Sequence, residues 1–218
     1  MNKLKQYANK PLSFIALILI IISTLITALA IIFIIGYILI KGVPNLSADL
    51  FSLKYSSANQ SMLPSIINTV YLTALTLLLA VPVGVFSAIY LVEYARKSSF
   101  FVKIINVANE TLSGIPSIVY GLFGFLAFVI SKKWGYSLLA GVITLAIMVL
   151  PLIIRTSQEA MLGVDNSFRE ASYGLGAGKL RTVFKIVLPS AMPGILSGVI
   201  LAIGRIVGET AALIYTAG

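Results

Sequence analysis

Residues 12–40 read LSFIALILIIISTLITALAIIFIIGYILI, a run without a single charged side chain. A helix needs about 20 predominantly apolar residues to cross the hydrocarbon core of a bilayer, so this run is long enough to span it. Four further apolar runs follow, at about 66–92, 104–130, 135–154 and 190–218. The pattern predicts an all-α polytopic membrane protein with five transmembrane helices.

The composition supports a membrane location and excludes several kinds of site. Of the 218 residues, 59% are hydrophobic and only 11% are charged, whereas about a quarter of the residues of a soluble domain carry charge. The chain has no cysteine and no histidine, which excludes disulfides, thiolate chemistry and the commonest zinc ligands. The net charge of +9 does not indicate nucleic-acid binding, because the basic residues lie between the apolar runs without interleaved aromatic side chains.

The first apolar run has the alternative interpretation of a secretory signal peptide. Lys3, Lys5 and Lys10 precede it, and Ala28-Leu29-Ala30 resembles a small-residue cleavage site. However, the apolar region of a signal peptide has about 7–15 residues, and ten more uncharged residues follow Ala30. We therefore expect an uncleaved first helix.

The distribution of lysine and arginine predicts the orientation in the membrane. With a cytoplasmic N-terminus (residues 1–11), eleven of the 16 basic residues lie on the inner side and four on the outer side, while Arg205 lies within the last apolar run. The inner residues are Lys3, Lys5, Lys10, Arg96, Lys97, Lys103, Arg155, Arg169, Lys179, Arg181 and Lys185, and the outer ones are Lys41, Lys54, Lys132 and Lys133. This bias satisfies the positive-inside rule.

Several spans contain residues that disfavour a regular helix. Pro82, Gly84, Gly114, Pro116 and Pro151 are expected to break their spans near mid-depth. Interrupted helices free backbone groups that can line a substrate path. Simple kinking for helix packing explains the same residues equally well, because glycine and proline are common in membrane helices.

The polar stretch 155–189 separates the fourth apolar run from the fifth. Its first residues continue the preceding helix until Gly163, and Asn166 or Ser167 is predicted to cap a short helix that follows. Three glycines within five residues, at 174, 176 and 178, then predict a sharp turn.

A second short helix, ended by Pro189, is predicted after this turn. It carries an apolar stripe at helical spacing, formed by Leu180, Val183, Phe184, Val187 and Leu188. An interfacial helix on the lipid headgroups and a helix docked on a protein partner both fit this stripe.

Within this stretch, Glu170-Ala171-Ser172, Gly176 and Ile186-x-Leu188-Pro189 resemble the EAA loop of ABC importer permeases in every spacing. Ser172, which replaces the second alanine of the pattern, is the single departure. The resemblance implies that residues 155–189, called the EAA loop below, form a coupling helix seated in a groove of a cytoplasmic ATPase. The residues that it implies for coupling are Glu170, Ala171, Gly176, Leu180, Phe184, Ile186, Leu188 and Pro189; Glu170 would orient the loop and Gly176 would allow its turn.

Two further stretches, 110–121 (ETLSGIPSIVYG) and 204–211 (GRIVGETA), resemble permeases of phosphate importers, the PstA family, with PstC as its sister family. The resemblance implies the MetI-like ABC importer permease fold, whose core has six helices. Five are expected here, in segments 12–154 (helices 1–4) and 190–218 (helix 5), so we expect the chain to stop before a sixth.

Arg205 and Glu209 are the candidate substrate-pathway residues. An arginine at the bilayer centre costs about 2.5–3.5 kcal/mol on insertion scales, so it normally faces protein or water. Its planar fork suits an oxyanion, and Glu209, expected one helical turn further on, would fix its rotamer and disfavour unprotonated anions such as sulfate. The alternative is that Arg205 and Glu209 form an internal ion pair that only neutralises the two charges.

The resemblance implies a permease subunit that moves inorganic phosphate by alternating access. Its implied partners are a cytoplasmic ATP-binding subunit, a second permease subunit, an extracytoplasmic phosphate-binding protein and the lipid bilayer of a bacterial or archaeal cytoplasmic membrane. The chain has no Walker A motif, so ATP and Mg²⁺ are expected in the partner and no cofactor in this chain. The alternatives are a permease for sulfate or molybdate, an autonomous anion channel and a membrane enzyme, the last disfavoured by the lack of convergent catalytic groups.

Overall fold

The computed structural model describes residues 11–56, 61–96 and 99–217, and within these ranges the chain forms helices and turns but no strand. Most of the predicted cytoplasmic N-terminus, including Lys3, Lys5 and Lys10, lies outside the described residues, as does Lys97. The chain divides after Pro64 into two compact units.

The first unit contains one long helix, α1 (Pro11–Gly42), followed by the short 3-10 helices Val43–Asn45 and Ala48–Phe51. Its most apolar window has a mean hydropathy of 3.1. The helix passes through Ala28–Ala30 without a break, and it is about twice as long as the apolar region of a signal peptide. These properties favour the predicted first transmembrane helix.

The second unit carries the remaining helices. They are α2 (Leu63–Ile89), which begins at the boundary and ends in a π-helical turn (Tyr90–Tyr94), α3 (Phe100–Ser113), α4 (Ser117–Gly124) with a π-helical extension (Phe125–Ser131), α5 (Leu138–Leu162), α6 (Asn166–Gly174), α7 (Lys179–Thr182), α8 (Leu188–Val207) and α9 (Ala211–Thr216). A π-helical turn (Val183–Val187) joins α7 to α8.

In the part of the chain that the structure describes, four helices are long and apolar enough to cross a membrane: Leu12–Asn45, Leu63–Tyr94, Leu138–Leu162 and Lys179–Val207. A fifth crossing is possible if α3 and α4, which are bent by 103° relative to each other, count as one span. The predicted all-α, multi-pass membrane architecture is confirmed. The third predicted span is interrupted, as Gly114 and Pro116 predicted.

The sharp bend between α3 and α4 lies at Gly114-Ile115-Pro116, where a break was predicted. A residue before proline is disfavoured in helical geometry, and Pro116 itself adopts extended backbone angles before α4 begins. The hydroxyl of the buried Tyr120 donates a hydrogen bond of 2.8 Å to the Leu112 carbonyl. The Leu112 carbonyl also accepts from Ile115 N–H at 3.2 Å, and the added bond from Tyr120 fixes the bend from the α4 side.

The other predicted breaks are wrong, because Pro82 and Pro151 lie inside the continuous helices α2 and α5. A proline removes only one helical hydrogen bond, and tertiary packing tolerates that loss in a membrane helix. Gly84 serves packing instead of a break: a Cβ atom added there would lie 2.6 Å from Cγ2 of Ile153. The glycine lets α2 approach α5 closely.

Two predicted bounds of helices are also wrong, the end at Pro189 and the unbroken helix over 190–218. Pro189 does not stop a short helix, since 179–207 is continuous. The π-helical turn before it shifts the local hydrogen bonding, with Leu188 N–H bonded to the Val183 carbonyl, which accommodates the ring of the proline. Conversely, α8 ends at Val207, and residues 208–210 separate it from α9.

The core of the second unit is built around α5. In its most apolar window 56% of residues are buried, against 33% for the α2 span and 28% for the span that contains α8. One core cluster joins α2, α4, α5, α8 and α9 through Leu72, Tyr120, Leu145, Met148, Ile153, Ala202, Ile206 and Ala212. A second cluster lies at the other end of α5, around Met161 and Val187.

Small residues bring α5 and α8 together in antiparallel register. A Cβ atom added to Gly194 would lie 2.6 Å from Ala160 Cβ, and one added to Gly198 would lie 2.7 Å from Thr156 Cβ. Four residues further along α8, from 194 to 198, the contact therefore lies four residues earlier on α5, from 160 to 156. Continued for seven residues beyond Gly198, the register places Arg205 level with Val149, one residue from the midpoint of α5.

The α5–α8 contact predicts opposite effects for two alanine substitutions on α8. Gly198→Ala should destabilise the protein by about 1–3 kcal/mol, because the added methyl group overpacks the contact with Thr156. Gly204→Ala is the matched control, since its added Cβ atom meets nothing within 4 Å and removing a helical glycine gains about 0.5–1 kcal/mol. Thermal unfolding in detergent measures both, and equal midpoints would contradict the register.

Candidate functional site

The EAA loop is ordered by the ends of two long helices. Its first eight residues belong to α5, which continues to Leu162, and its last residues belong to the helix that becomes α8. Between them lie α6 and a glycine turn, in which Gly176 has a φ of 80°. The predicted short helix and sharp turn are both confirmed, and a residue with a Cβ atom at 176 would be strained.

The residue that caps α6 is Asp165, and the predicted caps Asn166 and Ser167 are wrong. The Asp165 carboxylate accepts a hydrogen bond of 2.8 Å from Ser167 N–H. This bond lowers the pKa of the Asp165 carboxyl below its ordinary value. The sequence offered three adjacent residues able to cap, and only backbone geometry selects among them.

Arg169 organises the EAA loop, although the sequence analysis assigned it no role. Its guanidinium donates to the Met161 carbonyl at 2.9 Å and to the Val164 carbonyl at 2.8 Å, at and beyond the end of α5. The Met161 carbonyl also accepts from Val164 N–H at 3.3 Å. It also pairs with Glu93 at the end of α2, with 2.8 Å between Nη2 and Oε1. The pair is largely buried, because the two side chains are only 13% and 6% exposed.

Glu170, the residue expected to orient the loop, makes no hydrogen bond or ion pair with any residue that the structure describes. Its side chain is exposed, as is Ala171. The orienting contacts within the chain come from its neighbour Arg169. Glu170 is therefore available to a partner.

Ser172, the departure from the EAA pattern, forms a buried hydrogen bond. Its hydroxyl lies 2.8 Å from the hydroxyl of Thr182, and Thr182 also donates to the Gly178 carbonyl at 3.3 Å. This bond ties α6 to α7 across the glycine turn. An alanine at 172 could not form it, so the substitution adds a contact that the family pattern lacks.

The predicted apolar stripe divides between two environments. Val183 and Val187 are fully buried in the second core cluster, and Leu188 packs against it. Leu180 and Phe184 remain 66% and 40% exposed, and Leu175 in the turn is 89% exposed. The exposed part is called the apolar tip below (Leu175, Leu180 and Phe184).

The remaining predicted coupling residues lie beside the tip. Ile186 is half-buried, and Pro189 is exposed on the continuous helix. Lys179 and Lys185 are exposed as well. The EAA loop thus presents exposed apolar residues with exposed lysines beside them.

A polar cavity of about 540 Å³ lies between α3, α5 and α8. Its charged lining residues are Glu110, Arg155, Glu159 and Arg205, and its polar ones include Asn106, Asn109, Ser113, Thr156 and Gln158. Arg155 pairs with Glu159 at 3.0 Å. Arg205 is half-buried and has no hydrogen-bond or ion-pair partner among the described residues.

The predicted pairing of Arg205 with Glu209 is not formed. Glu209 lies beyond the end of α8, so the two residues do not share a helical face. The Glu209 carboxylate instead accepts a hydrogen bond of 3.0 Å from Ala212 N–H, at the start of α9. Glu209 lines a separate cavity of about 440 Å³ with Ser65, Asn68, Thr69, Tyr136 and Ser137. It therefore does not hold Arg205 in its rotamer.

Depth along α5 separates the two arginines of the polar cavity. Arg205 is level with Val149, and Arg155 lies six residues nearer the EAA loop, about 9 Å along the helix axis. A guanidinium without a hydrogen-bond or ion-pair partner among the described residues, in a polar cavity near the middle of α5, can bind an oxyanion through two parallel hydrogen bonds. The arrangement favours an anion path that runs between α3 and α5.

Residues 80–218 match the protein family described as "Binding-protein-dependent transport system inner membrane component". The chain is 38% identical to the probable ABC transporter permease protein YqgI of Bacillus subtilis over 185 residues, which cover 84% of this chain and 63% of that protein. It is 38% identical to the phosphate transport system permease protein PstA of Haemophilus influenzae over 81% of this chain and 63% of that protein. The chain thus spans less than two thirds of the length of both.

Two further proteins extend the likeness. The phosphate transport system permease protein PstA of Yersinia pestis is 35% identical over 215 residues, which cover 97% of this chain and 72% of that protein. A chain of the MetNI methionine ABC transporter, solved in an inward-facing conformation, superposes with a TM-score of 0.57 at 21% identity and covers 71% of this chain. This structural likeness confirms the expected MetI-like fold.

The cap of α6 predicts a pH-dependent loop. Because the folded-state pKa of Asp165 lies below its ordinary value of 3.8, its stabilising contribution is present above that value and is lost as the pH falls through the lower folded-state pKa. The protection of the amides in the first turn of α6 against hydrogen exchange, corrected for the intrinsic pH dependence of exchange, should therefore fall in acid.

Asp165→Asn is the matched control for this effect, since asparagine caps about as well as aspartate but does not titrate. Its exchange at the first turn of α6 should lack the acid step of the parent. The same acid step in both proteins would assign the titration to another group.

Proposed function

The chain belongs to the family of binding-protein-dependent transport system inner membrane components, and we propose that it is a transmembrane permease subunit of an ATP-driven importer of inorganic phosphate. The PstA proteins of Haemophilus influenzae and Yersinia pestis, named for phosphate transport, support the substrate. The absence of a Walker A motif from the sequence supports a separate ATPase chain that supplies ATP and Mg²⁺.

The apolar tip of the EAA loop carries this proposal. Exposing three large apolar residues to water is unfavourable, so such a surface on a short loop indicates a partner that covers it. The loop that holds them is fixed by the Arg169–Glu93 pair and by the buried Ser172–Thr182 hydrogen bond. The apolar tip, beside the exposed Glu170, suits a groove on a cytoplasmic ATPase. Because these two contacts fix the loop, it passes the movement of the ATPase on to the helices.

ATP binding closes the ATPase pair and moves the EAA loop, and the continuous helices α5 and α8 carry this movement to the polar cavity. The cavity alternates between the two sides of the membrane, receiving phosphate from an extracytoplasmic binding protein and releasing it inward. A second permease subunit completes the path. In this arrangement the N-terminus is cytoplasmic, in a bacterial or archaeal cytoplasmic membrane.

Arg205 binds the transiting anion, and Arg155 provides a second position nearer the cytoplasm. Phosphate near neutral pH keeps at least one proton, so it can donate a hydrogen bond to a carboxylate, whereas sulfate cannot. Glu209 lines another cavity, whereas Glu110 shares the cavity of Arg205, and its carboxylate forms no hydrogen bond or close ion pair with the described residues. We assign the discrimination between the two anions to Glu110.

The apolar tip predicts a loss of ATPase binding. The double variant Leu180→Ala, Phe184→Ala should copurify with at least tenfold less ATPase subunit, because fully burying two large apolar side chains is worth about 3–6 kcal/mol. Copurification from native membranes measures this loss. The matched control is Leu196→Ala, Ile200→Ala, two exposed residues on α8 beyond the loop, which should bind ATPase like the parent.

Cross-linking from cysteines gives a direct test, because the natural sequence contains none. Leu180→Cys and Phe184→Cys should each cross-link to the ATPase subunit. Adducts with lipid alone would contradict the proposed function and favour the interfacial-helix interpretation.

The polar cavity predicts distinct effects for two charge-neutralising variants in proteoliposomes of the complete complex. Arg205→Gln should lower ATP-dependent phosphate uptake by about 10-fold or more, because a charge-assisted hydrogen bond is worth about 1.5–3 kcal/mol. Glu110→Gln should raise sulfate uptake relative to phosphate uptake.

Lys103→Gln serves as the control, since it removes one exposed positive charge on α3 outside the cavity and should leave uptake unchanged. Phosphate flux without ATP would favour an autonomous channel. If the parent complex takes up sulfate or molybdate in preference to phosphate, the proposed substrate is wrong.

A further inference from the structure

The end of α2 contacts the EAA loop at two adjacent residues. Glu93 pairs with Arg169 through two hydrogen bonds, of 3.1 Å from Nε and 2.8 Å from Nη2. The ammonium group of Lys179 lies 5.0 Å from the ring centroid of Tyr94, within the range of a cation–π contact. Arg169 and Lys179 flank the glycine turn, so the end of α2 holds the loop on both sides of it.

A single guanidinium joins three elements at this point. Arg169 belongs to α6, donates to the Met161 and Val164 carbonyls after α5, and pairs with Glu93 of α2. Because the pair is largely buried, its charges are poorly screened and its hydrogen bonds are of the strong, charge-assisted kind. Removing either partner leaves an uncompensated charge in a protein interior.

Apolar packing continues the same contact below the ion pair. Ala88 and Ile89, near the end of α2, are buried in the second core cluster with Met161, Val183 and Val187. The α2 end therefore fits against both arms of the EAA loop. It reaches the loop from 76 residues away in sequence, so no chain connection produces this contact.

We propose that the Glu93–Arg169 pair is a transmission joint that makes the end of α2 move as one body with the EAA loop. Both are positioning residues, because they act through the helix and do not touch the transported anion. The inference rests on the proposed function and adds a third path to the covalent ones through α5 and α8. Without the joint, α2 would receive the movement of the loop only through apolar contacts that can slide.

The far end of α2 shows what such a joint can move. Ser65, Asn68, Thr69 and Leu72 lie near the start of α2 and line the cavity that contains Glu209. The 27 residues of α2 span about 40 Å, so a displacement of its EAA-loop end as a rigid rod moves the wall of that cavity. The joint therefore links the EAA loop to the cavity at the opposite end of the bundle.

The first test measures the ratio of ATP hydrolysed to phosphate imported by the reconstituted complex, for the parent and for the Glu93→Gln variant. Glu93→Gln keeps the shape of the side chain and removes its charge, and it should raise this ratio about tenfold, within the range typical of coupling between sites. Copurification with the ATPase establishes that the variant assembles. A ratio equal to that of the parent in the assembled complex would overturn the proposal.

The second test needs neither transport nor an altered ion pair. Tyr94→Cys and Lys179→Cys in one chain, the only cysteines in it, should be joined by a short bismaleimide equally well without nucleotide and with trapped ATP. Cross-linking in only one nucleotide state would overturn the joint, because the two elements would then separate during the cycle.

The cross-link also supplies a rescue. In Glu93→Gln complexes that already copurify with the ATPase as the parent does, the covalent link should return the ATP-to-phosphate ratio towards the parent value. Absence of ATP-dependent phosphate uptake by the parent complex would refute the proposed function alone, since equal cross-linking in both nucleotide states would still support the joint.

Discussion

An ionised side chain in hydrocarbon or in a protein interior must find an opposite charge, a set of hydrogen bonds or water, because its surroundings offer nothing else to replace hydration. Arg169 meets this requirement with Glu93 and two carbonyl groups. Arg155 pairs with Glu159, whereas Arg205 faces the polar cavity without a partner among the described residues. The most buried of these pairs fixes the architecture of the EAA loop, and the unpaired arginine remains available to an anion.

The position of the unpaired arginine depends on how closely the helices pack. Gly194 and Gly198 let α8 lie directly against α5, and Gly84 does the same for α2. A shift of one residue in the α5–α8 register would rotate Arg205 away from the cavity that it lines. Small residues in this bundle therefore determine the chemistry of the path as much as the charged residues do.

The EAA motif illustrates how far a local pattern can be interpreted. The local pattern was sufficient to predict the short helix, the turn at Gly176 and the apolar stripe, but not the division of that stripe into buried and exposed residues. It gave no signal for Arg169, whose partner lies 76 residues earlier, or for the hydrogen bond of Ser172, which looked like a neutral replacement of alanine. Glu209 was wrongly placed because four-residue spacing implies a shared face only while the helix continues, and α8 ends before it.

Hydropathy and motif spacing by themselves determined the fold class, the number and approximate position of the apolar spans, and the family resemblance, since these depend on the free energy of transfer into lipid and on local backbone geometry. Only the tertiary structure decided that Pro82, Pro151 and Pro189 remain within helices while Gly114-Ile115-Pro116 bends the chain by 103°. The reason is physical: the cost of a missing helical hydrogen bond depends on which neighbouring groups replace it. Those neighbours come from distant parts of the chain, so local sequence cannot identify them.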